Sequence, residues 1–313
     1  MSGYQIKRYT PAHKAQWDNF IKTAKNSSFL HKRDFIGYHK DRFEDFSLLI
    51  FRDEKLLAVI PANKENKTLY SHKGLTYGGI ILPDGIGFKK VKFIFEAFLA
   101  FLEEHNFESL VVKCILEFYT KLPSREVEHL MLTKGAKVIS SELNYAVDYE
   151  LPDTTSSKKL RYFRKNENRD FTIKEGDFEG FWGDILVPRL SSRFNAKPVH
   201  TLSEIQSLNK LFPEHIKQFN LYHDEKLLAG ITVFINDKIA KAQYAATSPE
   251  GEKMRAMDQL FIFLIKKYRE LNFEYFDLGT VKGGKEPYNF GLIKQKEELG
   301  SVAFLQQTIK LKL

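Results

Sequence analysis

The hexapeptide DEKLLA occurs twice in this chain, at Asp53–Ala58 and at Asp224–Ala229, 171 residues apart (224 − 53). Each copy is preceded by an apolar, strand-like run, FSLLIFR or FNLYH, and followed by another, VIPANK or GITVFIN. A second short match, NFE, stands at Asn106–Glu108 and Asn272–Glu274, 166 residues apart (272 − 106). In both places NFE closes an apolar helical run and opens a strand, ESLVVKC or EYFDLG. Two matches in the same order and in equivalent contexts imply a duplicated unit, with the longer connection in the first copy.

The unit reads as a helical region (Thr10–Arg42 and Asp177–Glu214), then a β-hairpin turning at the charged DEK. A third strand follows (Thr68–His72 and Ile239–Ala246), then a glycine-containing loop, a long apolar helix (Val91–His105 and Arg255–Leu271) and a further strand. In the second helix Leu260, Leu264, Tyr268 and Leu271 recur at intervals of three and four, the period of an amphipathic helix. Helix, antiparallel strands, helix and strand make a mixed α/β (α+β) fold, not the strict alternation of a doubly wound parallel sheet. The predicted domains are 1–150 and 151–313. The second opens with a basic junction segment, 156–169, carrying Lys158, Lys159, Arg161, Arg164, Lys165 and Arg169. That run reads either as a solvated charged helix or as an anion site.

A length of 313 residues fits two domains of ~150 each. No apolar run approaches the ~20 residues that span a bilayer, so no transmembrane segment is expected. The N-terminal MSGYQIKRYTPAHK has no apolar leader region. The sole cysteine, Cys114, sits in the apolar run LVVKCIL, where nothing nearby lowers its pKa. These features fit a reducing cytoplasm. The net charge of +8 suits an anionic partner as well as simple solubility. His31, His39 and His72 lack tight ligand spacing and there is no cysteine pair, so no metal is expected.

Some residue groups point to chemistry. SPEGEKMR leads directly into the helix AMDQLFIF. Unpaired N–H groups and the macrodipole at a helix start favour anions, which makes Gly251, Lys253 and Arg255 candidates for a phosphate-bearing ligand; the same residues also read as a plain turn. Asp277, at the end of YFDLG, and Glu297 could each serve as a general base, and Tyr288 could protonate a leaving group or simply pack.

The order of segments resembles the tandem GNAT (acyl-CoA N-acyltransferase) domains of the Fem proteins, which transfer amino acids from aminoacyl-tRNA to peptidoglycan precursors. The likeness rests on FLHKRDFIGYHKDRF, SHKGLTYGG, LPDTTSSKKLRYFRK, RAMDQLFIFLIKKYRELNFEYFDLG and the closing NFGLIKQKEELG. It implies two domains with mainly antiparallel central sheets, the first on the acceptor side and the second on the donor side. It also implies an N-acyltransferase of cell envelope biogenesis, acting on an amine of a cell-wall or surface-glycan precursor. By the same resemblance Lys296 is associated with the donor's phosphate. Lys32, Arg33, His39, Arg42, His72, Tyr77, Arg161 and Arg164 would bind the acceptor, His39 and Arg42 meeting the two arginines in one anion site.

Two departures bear on the donor. Gln295-Lys296 replaces the family's Phe-Lys pair, and TSPEGEKMR, with one glycine, stands where a single GNAT domain has its glycine-rich acetyl-CoA loop. Acyl-CoA and aminoacyl-tRNA therefore both stand as co-substrates, with no permanently bound cofactor. A non-catalytic anion- or RNA-binding module is the alternative, distinguished by salt-dependent RNA affinity without turnover. Tyr288–Gly291 has no strong helical periodicity, so a loop is expected to lead into Lys296, whose side chain is expected to be exposed.

Overall fold

The computed structural model describes residues 3–167, 169–281 and 288–313. The chain divides into two units, Met1–Glu142 with Leu305–Leu313, and Leu143–Phe304. The boundary thus falls before the expected 150/151. The last strand, Val302–Lys312, brings its end back to the first unit because Thr308–Lys312 pair antiparallel with Ser109–Lys113.

In the first unit, Tyr4–Arg8, Leu48–Arg52 and Lys55–Ile60 form a three-stranded antiparallel sheet. Asn63–Glu65 and Thr68–Tyr70 form a second hairpin, and Thr68–Tyr70 runs parallel to Ser109–Lys113. Helix Phe88–Glu104 places Val91, Ile94, Phe95, Phe98 and Leu102 on one face by their three- and four-residue spacing. That face shares a core with Leu110 and Val112.

In the second unit the strands lie in the order Lys137–Asp148, Tyr275–Val281, Ile239–Thr247, Lys226–Asn236, Ile216–His223 and Phe171–Glu175. All neighbours are antiparallel except Ile239–Thr247 and Tyr275–Val281. Helix Ala256–Glu270 buries Leu260, Leu264 and Tyr268 against Phe219, Ile231, Val233 and Phe276.

The duplication holds at the level of single backbone angles. Asp53 and Glu54 have φ of 49° and 61°, and Asp224 and Glu225 have 47° and 61°. Positive φ at both central residues is the type I′ requirement that matches the twist of a hairpin. Each hairpin also carries a register shift at the same place, between Ile50 and Phe51 and between Leu221 and Tyr222. Asn106 and Asn272 both end their helices at left-handed φ, 58° and 57°. The next residues, Phe107 and Phe273, donate back to Leu102 O and Tyr268 O, each at 3.0 Å, as in a Schellman cap.

The helical regions differ from expectation. In the first copy Lys14–Thr23 is followed by short turns, Phe29–His31, Arg33–Ile36 and Gly37–His39, because Ser28 and Lys32 take extended backbone. In the second, Phe181–Leu186 coils as a π-helix immediately before helix Val187–Phe194. Pro188 has no N–H for an α-helical bond to the preceding turn, and a wider turn relieves that clash.

Candidate functional site

The parallel strands Ile239–Thr247 and Tyr275–Val281 pair only through Ile239–Lys241 and Tyr275–Asp277. Beyond that rung each carries a bulge against its other neighbour. Val233 faces Ala242 and Thr232 faces Tyr244, which leaves Gln243 without an opposite residue. Asp277 faces Ala146 and Gly279 faces Tyr145, which leaves Leu278 without one. An extra residue bends its strand and increases local twist, so two bulges just past the last shared rung part the strands. The gap is a cleft of about 810 Å³, walled by Ala242, Ala245 and Ala246 on one side and by Leu278 and Thr280 on the other. Small side chains on the first wall keep it open.

Buried charge sits where the strands part. Asp277 is fully buried; its Oδ1 accepts from Asn144 Nδ2 at 2.8 Å and Gly279 N at 2.6 Å, and its Oδ2 from Lys241 Nζ at 2.8 Å. Lys296, on helix Phe290–Glu297, is 7% exposed and donates from Nζ to Gly279 O at 2.7 Å and Thr280 O at 3.1 Å. Burial pulls its ammonium down to about 8; Asp277 opposes that shift and Lys241 adds to it.

Residues 183–289 match the family model described as an acetyltransferase (GNAT) domain. FemX, a solved structure 11% identical, superposes with a TM-score of 0.70 over 99% of this chain and 97% of its own. L-PGS from Bacillus licheniformis, 13% identical, gives 0.63 over 98% and 93%. A tandem GNAT protein from the clavulanic acid biosynthesis pathway, 8% identical, gives 0.56 over 99% and 98%. The chain has the double-GNAT fold of the Fem-like proteins. No curated protein sequence matches it.

All four donor-side candidates, Gly251, Lys253, Arg255 and Lys296, line the cleft of the second GNAT unit. Gly251 has a packing reason to be glycine, since a Cβ would lie 2.4 Å from Leu228 O and from Thr247 Oγ1. Its amide is already used, donating to Ser248 Oγ at 3.0 Å. Arg255 turns through φ +56° ahead of helix Ala256–Glu270, with its guanidinium 3.9 Å from the Tyr162 ring centre. Lys296 is buried, contrary to the expected exposure, and the loop expected to lead into it ends at Asn289, where helix Phe290–Glu297 begins. Its helix is capped by Asn289 Oδ1, which accepts from Leu292 N, and Lys296 lies on the face from which its ammonium reaches the carbonyls of Gly279 and Thr280.

The lining also includes two arginines that sequence reasoning passed over and Lys159 of the basic junction segment. Arg189 and Arg193, one turn apart on Val187–Phe194, both pair with Glu252, Arg193 at 2.8 Å. Lys159 of the junction helix Ser157–Glu167 is buried and holds Asp258 Oδ1 at 2.6 Å. The i, i+4 arginines in VPRLSSRF were the available signal.

The three catalytic candidates do not gather at the cleft. Asp277 lies beneath it with both oxygens occupied, a poor setting for a base. Glu297 is exposed and accepts from Tyr145 OH at 3.2 Å. Tyr288 is exposed, its ring 5.8 Å from that of Phe290, and is not part of the lining.

On the acceptor side three candidates are buried. Arg33 is buried, pairs with Asp45, donates to Ser47 Oγ at 3.0 Å and stacks 3.6 Å over Tyr9. Burial pushes the Asp45 carboxyl up, but Arg33 and Ser47 together hold it below the usual range. His72 is buried at φ +67°, accepts from Gly74 N at 3.3 Å and meets Phe43 edge-on. Tyr77 is core, its ring 5.8 Å from His31 and 4.8 Å from Tyr119. Lys32 is half-buried; Arg42, Arg161 and Arg164 are exposed. The His39 side chain lies outside the described residues.

The first GNAT unit has filled its own gap. There Ser71 N donates to Val111 O at 2.9 Å, Lys113 N to Ser71 Oγ at 3.1 Å and Gly78 N to Lys113 O at 2.9 Å. Ser71–Gly79 therefore occupies the place where the strands would part, leaving a void of about 10 Å³. Lys113 corresponds to Gly279 in the repeat, so the carbonyl that Gly78 caps in one copy is capped by Lys296 in the other.

Proposed function

We propose that the protein is an N-acyltransferase whose second unit holds an activated, phosphate-bearing acyl or aminoacyl donor in the open cleft. The first unit would serve the amine-bearing acceptor, a cell-wall or surface-glycan precursor, in the cytoplasm. Among the described residues no helix is long and apolar enough to cross a membrane.

The observation that carries this reading is the charge of the cleft between the two bulged strands. Its lining has six cations, Lys159, Arg189, Arg193, Lys253, Arg255 and Lys296, against two carboxylates, Glu252 and Asp258, an excess of four (6 − 2). A cleft of one sign concentrates an anionic donor. Both acyl-CoA and aminoacyl-tRNA meet these requirements. An acyl ester or thioester needs little more than an amine held nearby, which contributes several kcal/mol of the barrier.

Mass spectrometry of ligand co-purified with the full chain, followed by transfer assays with acetyl-CoA and with alanyl-tRNA, tests the reading. Formation of an amide product with either donor is the expected result. RNA binding that weakens with salt, without any product, would replace it with the binding-module reading.

A further inference from the structure

Helix Phe88–Glu104 of the first unit opens with FKKVKF, in which Phe88, Lys89, Lys90, Lys92 and Phe93 are all exposed. The helix macrodipole disfavours cations at this end. The first turn contains no acidic residue, and the cap residue, Gly87, has no side chain to offer. Lys92 pairs with Glu96 at 2.9 Å, but Lys89 and Lys90 form no ion pair among the described residues. Asp84, the carboxylate ahead of the helix, accepts from Gly85 N at 2.7 Å. The helix therefore starts with positive charge that nothing within its own first turn offsets.

Apolar surface stands among these cations. Phe88 is 48% exposed and Phe93 36%. The Phe88 ring lies 6.1 Å from that of His129, on helix Glu126–Thr133. Leu132, one turn after His129, is 49% exposed. The repeat shows the same helix start built otherwise. Its offset of 166 residues matches Lys92 to Asp258 (92 + 166) and Phe93 to Gln259 (93 + 166). Asp258 suits the macrodipole, and Gln259 is buried. Helix Ser157–Glu167 packs against that second helix, with Lys159 reaching Asp258 at 2.6 Å. In the first copy the charge is reversed, and an exposed ring takes the place of a buried amide.

Lysines alone would suit a solvated face, but exposed phenyl rings gain nothing from water. A second copy of this chain would set lysine against lysine. RNA could stack on the rings but would leave the aliphatic Leu132 unused. A lipid surface with anionic headgroups uses all of them: lysines reach the phosphates while apolar side chains enter the boundary between headgroups and acyl chains. We propose that the start of helix Phe88–Glu104, together with Leu132, is a docking surface for an anionic membrane. Lys89, Lys90 and Lys92 meet the headgroups, and Phe88 and Phe93 enter the interface. Such binding is peripheral and reversible. It is a property of the first unit alone and does not depend on the acyl-transfer reading.

The chain's two tryptophans, Trp17 and Trp182, are wholly buried, so Phe93→Trp adds a reporter that answers for this surface. The full chain is mixed with vesicles of phosphatidylcholine alone, or of two parts phosphatidylcholine to one part phosphatidylglycerol. With the anionic vesicles the reporter's emission should move to shorter wavelength and be quenched by brominated acyl chains; with the neutral ones it should not move. In vesicle flotation, Lys89→Gln with Lys90→Gln should weaken partitioning roughly 25-fold, about fivefold for each lysine. Phe88→Ala with Phe93→Ala should weaken it about tenfold. Lys210→Gln with Lys238→Gln, exposed lysines of the second unit, remove the same charge from the net +8 and should change partitioning by less than about twofold. All these side chains are exposed, and unchanged thermal unfolding verifies that each variant is folded. Equal losses for the two lysine pairs would reduce the effect to net charge and overturn the proposal. A reporter unmoved by anionic vesicles overturns it as well, and one moved by duplex RNA but not by vesicles would make the patch a nucleic-acid surface instead.

Discussion

Lys241 and Asp277 face each other across the last rung of the parallel pair and bond at 2.8 Å, directly below the point where the strands part. Asp277 is wholly buried, and the Lys241 side chain is 13% exposed. Removing one member leaves the other as an uncompensated charge. Asp277→Ala should therefore destabilise the second unit by about 3–5 kcal/mol, read from urea unfolding. A loss under ~1 kcal/mol would mean the pair is solvated rather than buried.

Arg33 separates a folding role from a binding role. Its guanidinium is enclosed by Asp45, Ser47, Tyr9 and Trp17. Arg33→Ala should lower stability by about 2–4 kcal/mol, below the upper range for buried pairs because the Asp45 side chain is 35% exposed. Arg33→Lys should not restore it, since lysine supplies neither the planar stack nor the forked contact. Thermal unfolding of the two variants reads both effects. Full stability with weakened binding of a phosphorylated precursor would return Arg33 to the acceptor site.

What the sequence disclosed, and what it hid, has a physical pattern. The duplication was legible because DEKLLA and NFE mark backbone needs, a type I′ turn and a left-handed helix end, that few residues meet. The cleft's position was partly legible, since Gly251, Lys253 and Arg255 follow its first wall in the chain. Its cause was not: a bulge is a mismatch in count between two strands, and nothing at Gln243 or Leu278 announces one. Lys296 lies in KQKEE, which reads as a solvated surface, and only the fold sets Gly279 and Thr280 against it. The burial of Arg33, His72 and Tyr77, acceptor candidates by sequence, was hidden for the converse reason. Polar side chains can be core residues when partners distant in sequence satisfy them.

His31 makes stability depend on acid. It is fully buried; burial lowers its pKa to about 4, against a weaker raising effect of the Tyr77 carbonyl. Its Nδ1 accepts from Ser28 N at 3.0 Å, which requires the unprotonated nitrogen. Between pH 6.5 and pH 4 the unfolded chain binds the proton more tightly than the folded one, so stability falls as pH drops through that window, by about 3 kcal/mol from this group. His31→Gln should flatten that part of the stability–pH curve. An unchanged slope would assign the effect to other groups.

Two glycines of the second unit should respond oppositely to alanine. At Gly251 a Cβ meets Leu228 O and Thr247 Oγ1 at 2.4 Å, and a backbone oxygen cannot swing aside. Gly251→Ala should lose about 1–3 kcal/mol and shift the neighbouring Lys253 and Arg255, weakening donor affinity. Gly291, in helix Phe290–Glu297, has Asn289 Oδ1 at 3.6 Å as the neighbour a Cβ would meet. Gly291→Ala should gain up to ~1 kcal/mol from helix propensity. Equal effects in chemical denaturation would contradict the packing at Gly251.

Lys296 should make the protein less stable than it could be. Its folded-state pKa is about 8, while an unfolded lysine titrates near ~10.4. Between those values the unfolded chain holds the proton and the folded chain releases it, so stability from this group rises with pH across the window. Below pH 8 the fold carries a buried ammonium at a disadvantage of about 3 kcal/mol relative to a neutral amine. Lys296→Met removes that burden at pH 7 but leaves the carbonyls of Gly279 and Thr280 without their donor, a loss of roughly 1–2 kcal/mol. The balance favours the variant by about 1–2 kcal/mol at pH 7, and the advantage should disappear as pH approaches 10. Urea unfolding at pH 7 and pH 10 tests both halves. A Lys296→Met protein less stable than wild type at pH 7 would mean that the ammonium is well solvated in its site, and with that the physical reason for its low pKa would be lost.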